Sequence, residues 1–351
     1  MTNDASPWWA AHIHADRRER LLARNSIKAA LRRRFEAVGF VEVECAILQT
    51  SPGNEAHLHA FATEAVHPSG ARERFYLHTS PEFASKKLLA AGERRIFDFA
   101  RVFRNRERGA FHAPEFTMLE WYRAEEPYTA VIADCLAILG EAADVTATRM
   151  FSCRHRSCDP RAEPERITVA EAFAKFAGVD LLATLSADGE GDRDRLAEAA
   201  RACGVKTAED DTWPDIFSKI LVARIENNLG IGRPAILCEY PRCEAALAQA
   251  TPDDPRVAER FEVYVCGVEL ANGFGELTDA DEQRRRFEAE MTEKARVYGE
   301  VYPLDEEFLA ALRTMPPASG AALGFDRLVM LATGARTVDD VIWTPLPRHD
   351  G

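Results

Sequence analysis

Apolar residues first recur at helical spacing: Leu21, Leu22, Ile27, Leu31, Phe35 and Val38 mark one side of a helix that Gly39 stops. A short strand follows from Phe40 to Glu44. Ser80-Pro81-Glu82 supplies an N-cap, a first helical position and a first-turn acid for a helix ending at Gly92. Two strand-like runs come next, Arg95 to Arg104 and Glu115 to Arg123, joined by a polar loop from Asn105 to Pro114. Thr146 to Pro164 has no period and is rich in Arg, Cys and Pro, which predicts a surface insertion. Residues 167–230 read as mostly helical. A second strand pair spans Phe261 to Glu276, a helix runs from about Asp281 to Tyr298, and Gly320 to Gly324 marks a turn into an apolar helix through Leu331.

Strands arriving in antiparallel pairs with helices around them predict an α+β fold, a mixed and mostly antiparallel sheet flanked by helices. The expected organisation is one domain over 21–351 behind an N-terminal segment, 1–20. Neither GxGxxG nor GxxxxGK[ST] occurs, which removes the commonest nucleotide folds. With 46% hydrophobic and 29% charged residues, the chain is neither disordered nor a coiled coil. No run of eighteen apolar residues suggests a membrane span, and no apolar signal core precedes the basic cluster at Arg17, so a cytoplasmic protein is expected. Acidic residues outnumber basic ones, 57 to 44, for a net charge of -13, which weighs against a protein that coats nucleic acid. The basic positions from Arg17 to Arg34 read as the solvated face of the first helix. The eight cysteines are expected to be reduced, and Cys153 with Cys158 is half a zinc site without a second pair.

Three constellations could carry chemistry. Alternation puts Phe116, Met118, Glu120 and Tyr122 on one strand face, where a buried carboxylate needs a partner or a polar pocket. The preceding loop holds Arg104, Arg106, Arg108 and His112; arginine forks suit a polyphosphate, although a solvated basic loop explains them equally. In the second, a two-residue turn at Cys266-Gly267 sets Tyr264 opposite Glu269 with Glu262 as a same-face diagonal neighbour. Carboxylates that close call for a cation, and Mg²⁺ with one or two protein carboxylates fits; two exposed strand glutamates are the alternative. Asn272-Gly273-Phe274-Gly275 breaks that strand before Glu276, as expected where backbone approaches a ligand. The third is Gly320 to Arg327, whose small residues admit a ligand, though a tight turn before a buried helix would look the same.

Together these stretches resemble a known family. Phe103-Arg104-Asn105, His112, Pro114-Glu115-Phe116-Thr117 and Gly320 to Arg327 resemble motifs 2 and 3 of class II aminoacyl-tRNA synthetases. Thr79-Ser80-Pro81-Glu82, Pro114 to Tyr122 and Glu269 to Glu276 are similar to the lysyl branch. The likeness covers about residues 20–345. Only some twenty residues precede the first expected helix, where lysyl-tRNA synthetases carry an anticodon-binding domain. The chain is thus most similar to the stand-alone lysyl-tRNA synthetase paralogues that lysylate elongation factor P.

The resemblance implies a division of labour. Arg104 would hold the α-phosphate, with Arg327 as its partner in catalysis, and adenine would lie between Phe116 and Arg327. Asn105, Arg106, His112, Ala113, Leu270 and Gly324 would complete the ATP site. Glu262 and Glu269 would carry Mg²⁺. Glu276 and Tyr122 would take the side-chain ammonium, and Ser80, Pro81 and Glu82 would border the other amine, with Glu120 and Asn272 nearby. Ala322 stands where lysyl-tRNA synthetases usually have Gly, which would favour (R)-β-lysine over α-lysine. Elongation factor P is the implied acceptor, tRNA is disfavoured, and a homodimer is implied by the class. Three departures stand out: Arg106 and Ala113 replace the usual Glu and Asn, and Ala46 replaces the Pro that ends motif 1; Glu107 would point away from adenine if the chain stays extended. A truncated tRNA-charging enzyme, a non-catalytic lysine sensor and an amidating ligase are the competing readings.

Overall fold

The computed structural model describes residues 7–347. The chain opens with helix α1 (Ala11–Ala37), then short strands β1 (Val41–Glu42) and β2 (Leu48–Gln49), and a hairpin of β3 (Phe61–Val66) and β4 (Arg72–Leu77). Helix α2 (Glu82–Ala90) precedes β5 (Arg95–Phe103), β6 (Glu115–Ala124) and helix α3 (Tyr128–Thr146). A small hairpin, β7 (Phe151–Cys153) and β8 (Arg156–Cys158), leads to β9 (Glu165–Thr168) and a helical segment of α4 (Val169–Ala177), α5 (Arg193–Ala202) and α6 (Trp213–Ile220). The chain then returns through β10 (Ala235–Pro241), β11 (Val257–Val265) and β12 (Val268–Gly275) to α7 (Ala280–Tyr298), α8 (Glu306–Leu312), β13 (Ala318–Gly324) and α9 (Phe325–Thr333).

Eight strands form one sheet in the order β1-β5-β6-β13-β12-β11-β10-β9. Its two outer pairs, β1 with β5 and β9 with β10, are parallel, and the rest is antiparallel. One face packs on α1, α3 and α9 through Leu31, Phe35, Trp121, Leu139 and Leu328. Leu119 and Trp121 belong to this core, while Glu120 and Tyr122 turn to the opposite face as the alternation of β6 requires. That opposite face is covered at one side by α2, α7 and α8 around Phe83, Phe287 and Phe308. The helices α4 to α6 build a second core on β10 around Phe173, Trp213 and Phe217. Among the described residues no helix is long and apolar enough to cross a membrane.

Several expectations are corrected here. Helix α1 starts at Ala11, so residues 11–20 are part of the fold and not of a separate segment. Its first turns carry no hydrophobic period because Arg17 anchors them: this buried side chain donates to the carbonyl oxygens of Asp339 and Ile342. Arg24 is buried as well, bonded to Asp326 and, at 2.8 Å, to Thr117 Oγ1, so two of the expected solvated cations are structural. The 146–164 stretch folds as the β7–β8 hairpin, and Phe151, Cys153 and Cys158 join the main core; three-residue strands are too short to show a period. Helix α2 begins at Glu82, one residue late, yet Ser80 Oγ still accepts from the Glu82 backbone N–H at 3.1 Å. Gly320 to Gly324 is not a turn but the central strand β13. Its small residues serve close approach, since a Cβ on Gly320 would lie 2.4 Å from the Tyr122 ring. All eight cysteines are free thiols.

Candidate functional site

The exposed face of β6, β11, β12 and β13 floors a cavity of about 420 Å³, closed at its sides by α2 and by the loop between β5 and β6. Phe116, Met118, Glu120 and Tyr122 all line it, as do Ala322 and Gly324 of β13. The hairpin register matches the expected one: Cys266 and Gly267 both have positive φ, at 57° and 72°, and Tyr264 pairs with Glu269. An irregularity after Val263 lets Glu262 pair with Asn272, so Glu262, Glu269 and Asn272 all reach the cavity.

One end of the cavity is built from carboxylates. Glu120 accepts from Tyr122 OH at 2.6 Å and from Ser80 Oγ at 2.7 Å. Glu276 is 1% exposed, and among the described residues neither its Oε1 nor Asn272 Oδ1 finds a hydrogen-bond partner. Burial, and then the nearby charge of Glu82, pushes Glu120 up to about 8. Burial also raises Glu276, to about 7, against the pull of a lysine ammonium. That lysine is Lys86, 1% exposed, with Nζ 2.6 Å from both Glu82 Oε1 and Glu276 Oε2. Burial alone would lower it, but Glu276 and Glu82 outweigh that and hold it above its usual range. Unpartnered buried acceptors beside raised carboxylates have the chemistry to accept hydrogen bonds from ammonium groups.

The other end interleaves arginines with carboxylates. Arg327 donates from Nε to the Phe111 carbonyl at 3.1 Å and from Nη1 to the Glu269 carbonyl at 2.8 Å, and its Nη2 lies 2.7 Å from His112 Nε2. Burial and then the Arg327 charge lower the His112 pKa, which keeps that ring neutral. The Arg104 guanidinium lies 5.5 Å from the Phe116 ring centroid. Arg260, half-buried in the cavity lining, donates to Glu262 Oε1 at 2.9 Å, and Tyr264 OH donates to Glu262 Oε2 at 2.7 Å. Burial and then Glu262 raise Glu269; burial, Glu262 and Glu269 together push Glu226 up to about 7. Carboxylates that penalise one another this way fit a divalent cation, and the surrounding arginines fit phosphate oxygens. Bound there, Mg²⁺ would supply charge neutralisation for a polyphosphate.

Ser80, Glu82, Arg104, His112, Ala113, Leu270 and Arg327 also line the cavity, whereas Pro81, Asn105 and Arg106 do not. Arg106 leaves the site because its φ of 65° turns the chain, and its guanidinium pairs with Glu300 at 2.7 Å above the Tyr298 ring. Asn105 is held by its backbone, donating to the His59 carbonyl at 2.7 Å. The same left-handed residue brings Glu107 into the cavity, against the expectation for an extended chain. Sequence reasoning missed Lys86, Arg260, Glu226 and Glu55. Lys86 stands four residues after Glu82 and Arg260 two before Glu262, spacings that share a face on a helix and a strand. Glu226 and Glu55 carried no such signal.

Known proteins are similar to this chain along most of its length. The family described as tRNA synthetases class II (D, K and N) matches residues 8–348. A protein of Avibacterium paragallinarum named elongation factor P–(R)-β-lysine ligase is 39% identical over 324 residues, 92% of this chain and 94% of its own. Proteins of the same name from Pectobacterium atrosepticum and Proteus mirabilis are 40% and 37% identical, covering 92% and 93% of this chain and 93% and 95% of theirs.

Proposed function

The chain belongs to the class II tRNA synthetases of the D, K and N group, and from that premise we propose that it is an ATP-dependent ligase. It activates (R)-β-lysine, or lysine, as an aminoacyl-adenylate and transfers it to a lysine side chain of elongation factor P. The observation that carries this reading is the division of one continuous cavity: the carboxylates Glu82, Glu120 and Glu276 in one part, and Arg104, Arg260 and Arg327 interleaved with Glu262 and Glu269 in the other. A substrate with two ammonium groups lies in the first part and an ATP polyphosphate in the second, so the amino-acid carboxylate meets the α-phosphate between them.

The reaction needs positioning and charge neutralisation more than a protein nucleophile. The substrate carboxylate attacks the α-phosphorus and pyrophosphate leaves. Arg104 and Arg327 hold the phosphate oxygens in line, and Glu262 and Glu269 would hold Mg²⁺, which would neutralise phosphate charge there. The amine of the acceptor lysine then attacks the acyl carbon, an amide forms, AMP leaves with the bonding pair, and the amine's proton passes to solvent. A homodimer and a cytoplasmic location complete the reading; exposed Val41, Ile47 and Leu48 offer apolar surface for a second copy.

ATP–pyrophosphate exchange with (R)-β-lysine, α-lysine and aspartate, without tRNA or acceptor, tests it. Exchange with the dibasic amino acids alone, followed by the matching mass shift of elongation factor P, is expected. Exchange with none of them, or with aspartate, removes the proposal.

A further inference from the structure

Lys86 has no task in that reaction, yet the fold buries its ammonium completely and gives it two carboxylates, Glu82 and Glu276, each at 2.6 Å. Burying an ion pair is seldom a source of stability, and an apolar side chain would fill the space beside Phe308 as well. The alternative is that the charge itself is used. The groups facing Lys86 are Glu82 on its own helix, Glu276 after β12, Glu120 on β6, and the Phe308 ring on α8. Next along α2, Ser85 Oγ lies 3.5 Å from the Cys45 thiol, whose backbone N–H binds Asp98. Three carboxylates and one ammonium therefore border the amino-acid end, and with all three carboxylates ionised their charges sum to minus two; Glu55, which lines the cavity beside Glu82, is offset by Arg104. A dibasic amino acid brings two ammonium groups. Lys86 also occupies Glu276 Oε2 and leaves the unpartnered Oε1 toward the cavity.

We propose that Lys86 is a specificity-determining positioning residue that fixes the amino-acid end at two negative charges, matched to the two ammonium groups of its substrate. The inference rests on the function proposed above. Without Lys86 the pocket carries one negative charge too many, so its carboxylates hold protons to higher pH and dication binding follows them.

The test is pyrophosphate exchange by the full chain with (R)-β-lysine across pH 6 to 9, for wild type, Lys86→Met, Lys86→Arg and Lys86→Ala. In Lys86→Met the KM for β-lysine at pH 7 rises about tenfold or more, while the KM for ATP stays within about twofold. The pH at which 1/KM levels off moves up by about one pH unit in Lys86→Met, the counterpart of that tenfold change, but not in Lys86→Arg, which keeps the charge. Propylammonium restores binding to Lys86→Ala, and neutral propanol does not. A folded Lys86→Met with the wild-type pH profile, a Lys86→Arg profile displaced as far as that of Lys86→Met, or equal rescue by propanol each overturns the inference. Wild-type enzyme inactive with every dibasic amino acid instead removes the function on which it rests.

Discussion

Ala322 of β13 is paired across the ladder with Glu120 of β6, so a single methyl group stands on the cavity floor beside a carboxylate held by Tyr122 and Ser80. A methyl at that place acts on the position of the substrate backbone more than on its charge. Replacing Ala322 by Gly opens the floor, and kcat/KM for α-lysine relative to (R)-β-lysine should rise roughly tenfold or more, the range one methylene commands in a shaped pocket. Competition kinetics with the two isomers read the ratio directly; an unchanged ratio assigns the discrimination elsewhere.

In the proposed reaction Glu276 serves amino-acid binding and not nucleotide binding. Its buried carboxylate lines the cavity beside Lys86, and Gly320 leaves room for it: an added Cβ there would lie 2.6 Å from Oε1. Glu276→Gln keeps the shape and removes the charge. Amino-acid activation should fall by about a hundredfold, the scale of about 3 kcal/mol for losing a charged hydrogen bond, with ATP affinity little altered. Equal losses in both, measured by exchange kinetics and nucleotide titration, would contradict the assignment.

The loop between β5 and β6 offers a sharper comparison. Arg106 faces Glu300 and Tyr298 outside the cavity, and Glu107 faces into it. Arg106→Ala should leave the KM for ATP within about threefold, because an exposed ion pair contributes little. Glu107→Ala should raise that KM more than Arg106→Ala does. The reverse order of effects would return the nucleotide contact to Arg106.

How much of this is legible in the sequence follows from the range of the signals. The face of β6 and the hairpin around Cys266-Gly267 are readable because strand alternation and a two-residue turn are local rules, and both reach directly into the site. Arg17 and Arg24 look solvated from sequence because their partners, at Asp339, Ile342 and Asp326, lie some three hundred residues away. Strand β13 resembles a turn because glycine marks both a reversal and a close approach, and only the neighbouring Tyr122 ring tells which. The direction of Glu107 depends on one left-handed residue, Arg106, a conformation that nothing in its side chain announces.

The buried pair of Arg24 and Asp326 links α1 to the start of α9, and Asp326 Oδ2 also accepts the Thr117 backbone N–H at 2.8 Å. Removing Arg24 strands a buried carboxylate just below Arg327. Arg24→Met should lower unfolding stability by about 3–5 kcal/mol, the usual cost of an orphaned buried charge. Urea denaturation measures it, and a loss below about 1 kcal/mol would mean that the pair is solvated in solution.

The raised carboxylates give the free enzyme an unusual pH dependence. In the folded chain Glu120 titrates at about 8 and Glu276 at about 7, against an ordinary value of 4.5. Between 4.5 and those values the folded state binds more protons than the unfolded state, so stability falls as pH rises through that window. Below 4.5 both states are protonated and the effect is absent; above about 8 the penalty is complete. A dicationic amino acid supplies the missing counter-charges and releases those protons, so its own affinity rises with pH over the same window. The melting temperature of the free protein should therefore decline from about pH 5.5 to about 8.5, and the increment from saturating (R)-β-lysine should grow. Glu120→Gln should flatten the first trend. A ligand increment that shrinks with rising pH would show that the carboxylates are already ionised in the empty cavity.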